Sequence, residues 1–269
     1  MRALLYLLLG VLLVGVADAQ SLREKLLEKI PESERLLLGL SEQDEIRAGR
    51  KATASLLAIA PLVEDEALQR YVNTVGRWIA MGSNRPDLPW RFGVIDSADV
   101  NAFSAPGGYV LVTRGLYASL GSEAELAGVL AHEIAHVVER HQLELLRETL
   151  LLEEGREAIA KAVRGDRQEL VRRLIGTGAE LFARRLDQEA EFEADRLGVV
   201  LAARAGYSPY GLPAVLQKIA TLAPADDRVQ LLYKTHPSPE ARLRHLDAAM
   251  GSAFDRYDRP AAGGKLYRP

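Results

Sequence analysis

The segment His132-Glu133-Ile134-Ala135-His136 lies in a run where Leu126, Val129, Leu130, Ile134 and Val137 recur at helical spacing. Two histidines four residues apart on a helix sit about 40° apart around its axis, so both imidazoles can meet one ion. Glu133 follows about 100° round, close enough to hold a water at that ion. Hydrolytic zinc centres need this set: neutral nitrogen ligands, an open coordination position and an adjacent carboxylate base. The helix must therefore bury its apolar side and keep its polar side in reach of a further ligand. Ser122 and Glu125 have capping-box spacing and place its start near Ser122.

A catalytic zinc takes three protein ligands, so the third must come from another element. A helix expected from about Leu186 to Ala205 carries Glu189, Glu191, Glu193 and Asp195. Glu191 and Asp195 are four apart and share a face. Glu191 could bind the metal, and Asp195 could accept a hydrogen bond from a ligand histidine and fix its tautomer. Spacing alone leaves Glu189 and Glu193 as competitors.

The N-terminus reads as a cleaved export signal. Arg2 is followed by an apolar run from Leu4 to Val16, then by Ala17-Asp18-Ala19, a small-x-small site that leaves Gln20 as the first mature residue. The run is short for a membrane span, and no later stretch approaches that length. The expected organisation is a signal peptide over 1–19, a metallopeptidase domain over 20–250 and a loose tail over 251–269, rich in Gly, Pro and charge. A periplasmic location follows. With no cysteine, disulfides, thiol catalysis and cysteine metal ligands are excluded. A net charge of −3 and sparse aromatics give no nucleic-acid footprint, and Trp78 and Trp90 read as core residues.

Between these signals the pattern is helical apart from one β region. Residues 62–81 read as an amphipathic helix with Leu62, Leu68, Tyr71, Val72, Val75 and Ile79 on one side. Trp90 to Ile95 alternates like a strand, and Tyr109 to Thr113 is a second. Asn101 to Gly108, with its Pro and paired Gly, reads as a tight connection, a hairpin with an irregular arm. Residues 142–182 read as helices that either pack plainly or cap the site. Ser208-Pro209 reads as an N-cap and N1 pair, and Thr235 to Glu240 leads into a last helix ending near Ala249.

H-E-x-x-H followed some fifty-five residues later by E-x-x-x-D resembles the HtpX and CAAX prenyl protease family of zinc endopeptidases, and within it the exported BepA-type and LoiP-type group. The stretches that carry the resemblance are Asn101-Ala102-Phe103 with Pro106-Gly107-Gly108, Tyr109 to Arg114, Ser122 to His141, Glu191 to Gly198, Ala205-Gly206-Tyr207, and His236-Pro237 with Arg242. It implies one Zn2+ per chain on His132, His136 and Glu191, with Glu133 as base. It also implies that His236 faces the zinc, either polarising the scissile carbonyl or acting as a reversible fourth ligand. His141, five residues beyond His136, falls on the wrong face to share the ion. His141 and His245 are expected to be structural or solvated, and Arg242 to pair with a carboxylate near the site or at the surface. The expectation is of a member without the spanning helices of the membrane-embedded relatives and without the C-terminal helical repeats of the BepA type.

The expected fold is α+β, mainly helical and zincin-like, with a small sheet beside the H-E-x-x-H helix. The expected activity is endopeptidase cleavage of unfolded or misfolded envelope proteins, with association with the outer membrane or its proteins. An extended substrate would add as a strand along an exposed edge at Asn101 and Tyr109, Val110, Leu111 and Val112. A latent, chaperone-like or assembly factor is the competing expectation, and a zinc-stabilised structural protein the third.

Overall fold

A computed structural model describes residues 41–145, 186–222, 226–254 and 265–268. The expected leader, and residues 146–182 of the expected cap, lie outside them. Helix α1 (Glu42–Ile59) starts at Ser41, whose side chain forms a reciprocal capping box with Asp44. Helix α2 (Glu66–Ala80) starts after Asp65, whose carboxylate accepts from Leu68 N at 2.9 Å. That cap places Leu62 outside the helix where the apolar pattern put it. Leu62 instead bridges Ile95 in extended conformation. Trp78, expected in the core, is exposed, with its indole N–H donating to Ala205 O, whereas Trp90 is buried.

Strands β1 (Arg91–Ile95), β2 (Ala102–Ala105) and β3 (Tyr109–Thr113) form one sheet in the order β1-β3-β2. β1 runs parallel to β3, from Arg91 opposite Tyr109 to Ile95 opposite Thr113. β2 and β3 form an antiparallel hairpin, Ala102 opposite Val112 and Ala105 opposite Tyr109. Gly107 and Gly108 make the turn at φ 77° and 99°, angles that L side chains adopt with strain. The arm expected to be irregular is thus a regular strand. β1 does not alternate as expected: Phe92 to Ile95 are all buried, because α2 covers one face and Leu62 packs near Gly93 on the other. Its outer edge is also occupied, by Val63 N donating to Val94 O and by the side chains of Gln69 and Asn73.

Helix α3 (Arg114–Ser119) leads to α4 (Glu123–Val138), which carries the histidine motif. Every residue of α4 from Glu125 to Val138 is buried, because α2, α5, α6 and β2 surround it. Ser122 caps it by accepting from Glu125 N at 3.2 Å. The Glu125 carboxylate turns instead to Gly121 N and to Lys218. The remaining helices are α5 (Gln188–Arg204), α6 (Gly211–Ala220), α7 (Gln230–Thr235) and α8 (Pro239–Met250). Ser208 and Pro209 form a turn ahead of α6 rather than its first residues, with Ser208 Oγ accepting from Tyr210 N. Ser238 and Pro239 do start α8 as cap and first residue.

The expected loose tail does not describe residues 265–268. Leu266 is buried, and Tyr117 donates its hydroxyl proton to Tyr267 O at 2.5 Å. Apolar and aromatic side chains dock this stretch, which the average composition of the tail hides. Among the described residues no helix is long and apolar enough to cross a membrane.

Candidate metal centre

His132 and His136 project from α4 with their Nε2 atoms 3.1 Å apart. Glu191 reaches them from α5, with Oε2 3.7 Å from His132 Nε2 and Oε1 3.5 Å from His136 Nε2. His236, the residue that ends α7, donates through Nδ1 to Glu191 Oε2 at 2.8 Å. All four are buried, and their ligand atoms lie within 4.8 Å of one another. Two nitrogens each about 2.05 Å from a tetrahedral ion would stand about 3.3 Å apart, close to the pair seen here. Glu191 Oε1 is buried without a hydrogen-bond partner, an acceptor whose burial is costly unless a cation faces it. The donor set of neutral imidazoles and one carboxylate fits zinc. One such site is seen among the described residues.

The partners on the far side of each histidine fix its tautomer. His132 Nδ1 lies 2.9 Å from Asp195 Oδ1. An ionised carboxylate only accepts, so Nδ1 carries the proton and Nε2 keeps its lone pair for a metal. Arg242, expected near a carboxylate or at the surface, is buried and grips Asp195 with Nε at 2.9 Å and Nη2 at 2.5 Å. Its Nη2 is nearly equidistant from the two ring nitrogens of His132, at 3.2 and 3.3 Å, so it rests against the ring rather than capping either lone pair.

His141 does not share the ion, yet it is neither solvated nor remote. Its Nδ1 lies 2.9 Å from His136 Nδ1, and its Nε2 lies 3.3 Å from Glu193 Oε2. With His136 Nε2 turned to the centre, its Nδ1–H donates to His141, and His141 Nε2–H points to Glu193. His141 is not in the ligand group, as helical phase predicts; its contact with His136 escapes helical phase because α4 ends at Val138 and Arg140 takes φ 60°. The acidic helix thus divides its work: Glu191 faces the cluster, Glu193 faces His141, and Glu189 is exposed. His245 stacks on Phe192 with ring centroids 3.6 Å apart.

Burial holds His136 well below the ordinary imidazole range, which keeps it neutral. Burial alone would raise Glu191, but His236, His136 and Arg242 hold it well below the carboxylate range. Asp195, likewise raised by burial, is brought down to about 2 by Arg242 and His132. Burial would lower His236, but the Glu191 carboxylate raises it above the usual value.

Glu133 lies beside the cluster with Oε2 accepting from Ser104 Oγ at 2.7 Å. Ser104 belongs to β2, and Gln142 Nε2 donates to its Oγ at 2.8 Å. A cleft along β2 is lined by Phe103, Ser104, Glu133, His136, Gln142 and His236, among others. This corrects the expected substrate edge. Tyr109, Val110, Leu111 and Val112 lie on β3, the central strand, which is paired on both sides. Asn101 is buried, with its backbone paired to Thr113. Of the two outer strands, β2 is the one that lines the cleft beside Glu133. Strand order is a long-range property that the local pattern does not carry. Ser104 and Gln142 were not singled out from the sequence, since each is a polar residue of common type whose partner lies far along the chain.

Residues 66–250 match peptidase family M48. The chain is 32% identical over 210 residues to the beta-barrel assembly-enhancing protease of Yersinia pestis, covering 76% of this chain and 43% of that protein. It is 31% identical over 189 residues to the mitochondrial metalloendopeptidase OMA1 of Arabidopsis thaliana, covering 70% and 37%. It is 30% identical over 168 residues to the metalloprotease YcaL of Escherichia coli (strain K12), covering 62% and 65%. The chain spans less than half the length of the first two of these relatives.

Proposed function

The chain belongs to peptidase family M48, and on that premise we propose that it is a zinc-dependent endopeptidase of the cell envelope that hydrolyses peptide bonds in unfolded or misfolded proteins. The observation that carries the activity is the buried His132, His136, Glu191 and His236 cluster with the Glu133 carboxylate beside it in one cleft. His132, His136 and Glu191 hold the metal. When bound, zinc supplies Lewis acidity that activates water and polarises the scissile carbonyl. Glu133 takes the proton of the attacking water and delivers it to the leaving amine. His236, lining the same cleft, donates to the developing oxyanion. The substrate lies extended along the cleft that β2 lines, where main-chain pairing reads backbone more than side chains. Such recognition favours unfolded segments over one sequence.

The envelope location rests on the apolar run from Leu4 to Val16 and its small-x-small site. The quality-control role rests on similarity to relatives named for β-barrel assembly, and from them we also infer association with the outer membrane or its proteins.

Purified chain is expected to cleave casein, and Glu133→Gln at matched zinc content is expected to have lost that activity. Equal cleavage by both would sink the assignment of the base. A second reading, a latent binding or assembly factor, draws on the 2.8 Å approach of His236 to Glu191, which puts His236 in reach of the same ion. A large rise in cleavage by His236→Ala would favour latency, and a fall would favour catalysis.

A further inference from the structure

We propose that Gln142 and Ser104 form a relay that fixes the Glu133 carboxylate, making both of them positioning residues for the base. The inference rests on the reading of Glu133 as that base.

The direction of the relay follows from donor counting. Ser104 has one hydroxyl proton, and the Glu133 carboxylate, which only accepts when ionised, takes it at 2.7 Å. The serine lone pairs then accept from Gln142, whose amide N–H approaches at 2.8 Å. Glu133 Oε2 is thereby held from β2, and among the described residues Oε1 takes no hydrogen bond. One oxygen is anchored and the other is left for the proton.

The geometry of the backbone supports the same conclusion. Gln142 reaches Ser104 because Arg140, at φ 60°, folds the segment after α4 back onto the cleft. Arg140 is the one non-glycine residue at positive φ among those described, a conformation that costs stability. Gln142 is 8% exposed, and its Oε1 is buried without a partner. An orphaned buried carbonyl lowers stability, and an apolar side chain would avoid that cost. What the amide does make is the bond to Ser104. A backbone and a side chain each held at a cost converge on one carboxylate, the pattern expected where position matters to chemistry.

The alternative is that Ser104 and Gln142 only satisfy each other in the core. Steady-state cleavage of a quenched peptide by the zinc-loaded full chain separates the two. Ser104→Ala is expected to lower kcat about tenfold, since small misplacements of a reacting group carry large rate costs. KM should stay within about twofold and zinc affinity should match wild type, while Tm falls modestly because the Gln142 amide and Glu133 Oε2 lose their partner. Gln142→Leu should lower kcat less, and adding it to Ser104→Ala should cost nothing further, because Gln142 acts through Ser104. Wild-type kcat in Ser104→Ala, additive losses in the double variant, or a kcat loss matched by lost zinc affinity would each overturn the relay. Crystals of zinc-bound Ser104→Ala give a readout without turnover. Glu133 should occupy more than one rotamer while His132 and His136 stay in place, and a single unchanged Glu133 rotamer would overturn the relay. Failure of wild type itself to cleave more than Glu133→Gln would instead sink the endopeptidase reading, leaving the rotamer test to decide the relay.

Discussion

Each ligand histidine of α4 spends its second nitrogen on a partner from another segment, and the two partners differ in kind. His132 leans on Asp195, which Arg242 holds ionised. His136 leans on His141, a neutral acceptor that Glu193 orients. Truncating Arg242 to alanine leaves Asp195 as a buried, unpaired charge and is expected to cost about 3–5 kcal/mol, read from urea unfolding. His141→Phe removes the acceptor of His136 and, besides it, only a bond to the exposed Glu193, so zinc affinity should fall about 10–100-fold, by competition with a chelating dye, while Tm of the metal-free protein moves little. His132 and His136 were legible in the sequence because they share one helical turn, whereas spacing left Glu191 in competition with Glu189 and Glu193 and only the family resemblance singled it out. The His141 contact was not legible, because a left-handed arginine leaves no mark in a residue string and the phase of α4 cannot be carried past it.

At the scale of elements, the centre depends on how closely α5 lies against α4. Gly198 marks that contact: a Cβ there would stand 2.9 Å from His132 N and 3.0 Å from its Cα. Both atoms are backbone, so the helices themselves must part. Gly198→Ala is expected to cost about 1–3 kcal/mol and also to weaken zinc binding, because Glu191 rides on the displaced helix. Calorimetric Tm together with zinc titration checks both effects, and loss of stability with unchanged affinity would contradict the coupling. The helices were readable from caps and periodicity, as Ser122 and Ser238 show. The sheet was readable only as strands. Nothing local in Tyr109 to Thr113 distinguishes a central strand from an edge, since burial on both sides comes from β1 and β2 arriving from elsewhere in the chain.

Across the molecule, a second polar cluster ties α2 and α3 to the docked residues 265–268. Tyr71 donates to Glu123 at 2.7 Å, Tyr207 feels the same carboxylate, and Tyr117 donates to Tyr267 O. Burial raises all three phenols, pushing Tyr117 and Tyr207 up to about 12. An unfolded tyrosine ionises near about pH 10. Above that the unfolded chain gives up protons that the folded chain keeps, so stability is full below about pH 10 and falls as pH rises toward about 12. Phenolate absorbance should therefore appear together with unfolding, and replacing Tyr117 by phenylalanine should flatten the alkaline loss. Tyrosines ionising near pH 10 in a chain that stays folded would contradict it.

The order of the donors along the chain also has a consequence in time. The centre takes its atoms from positions 132, 136, 191 and 236, and closing the intervening segments must be compensated by docking of α5 and α7. During synthesis the two histidines emerge first, on a helix that has as yet no carboxylate opposite it. A chain stopped before α5 can offer a metal only two of the four clustered donors. Tight metal binding is thus among the last properties the protein acquires, and whatever makes or carries the nascent chain handles it before its centre is complete.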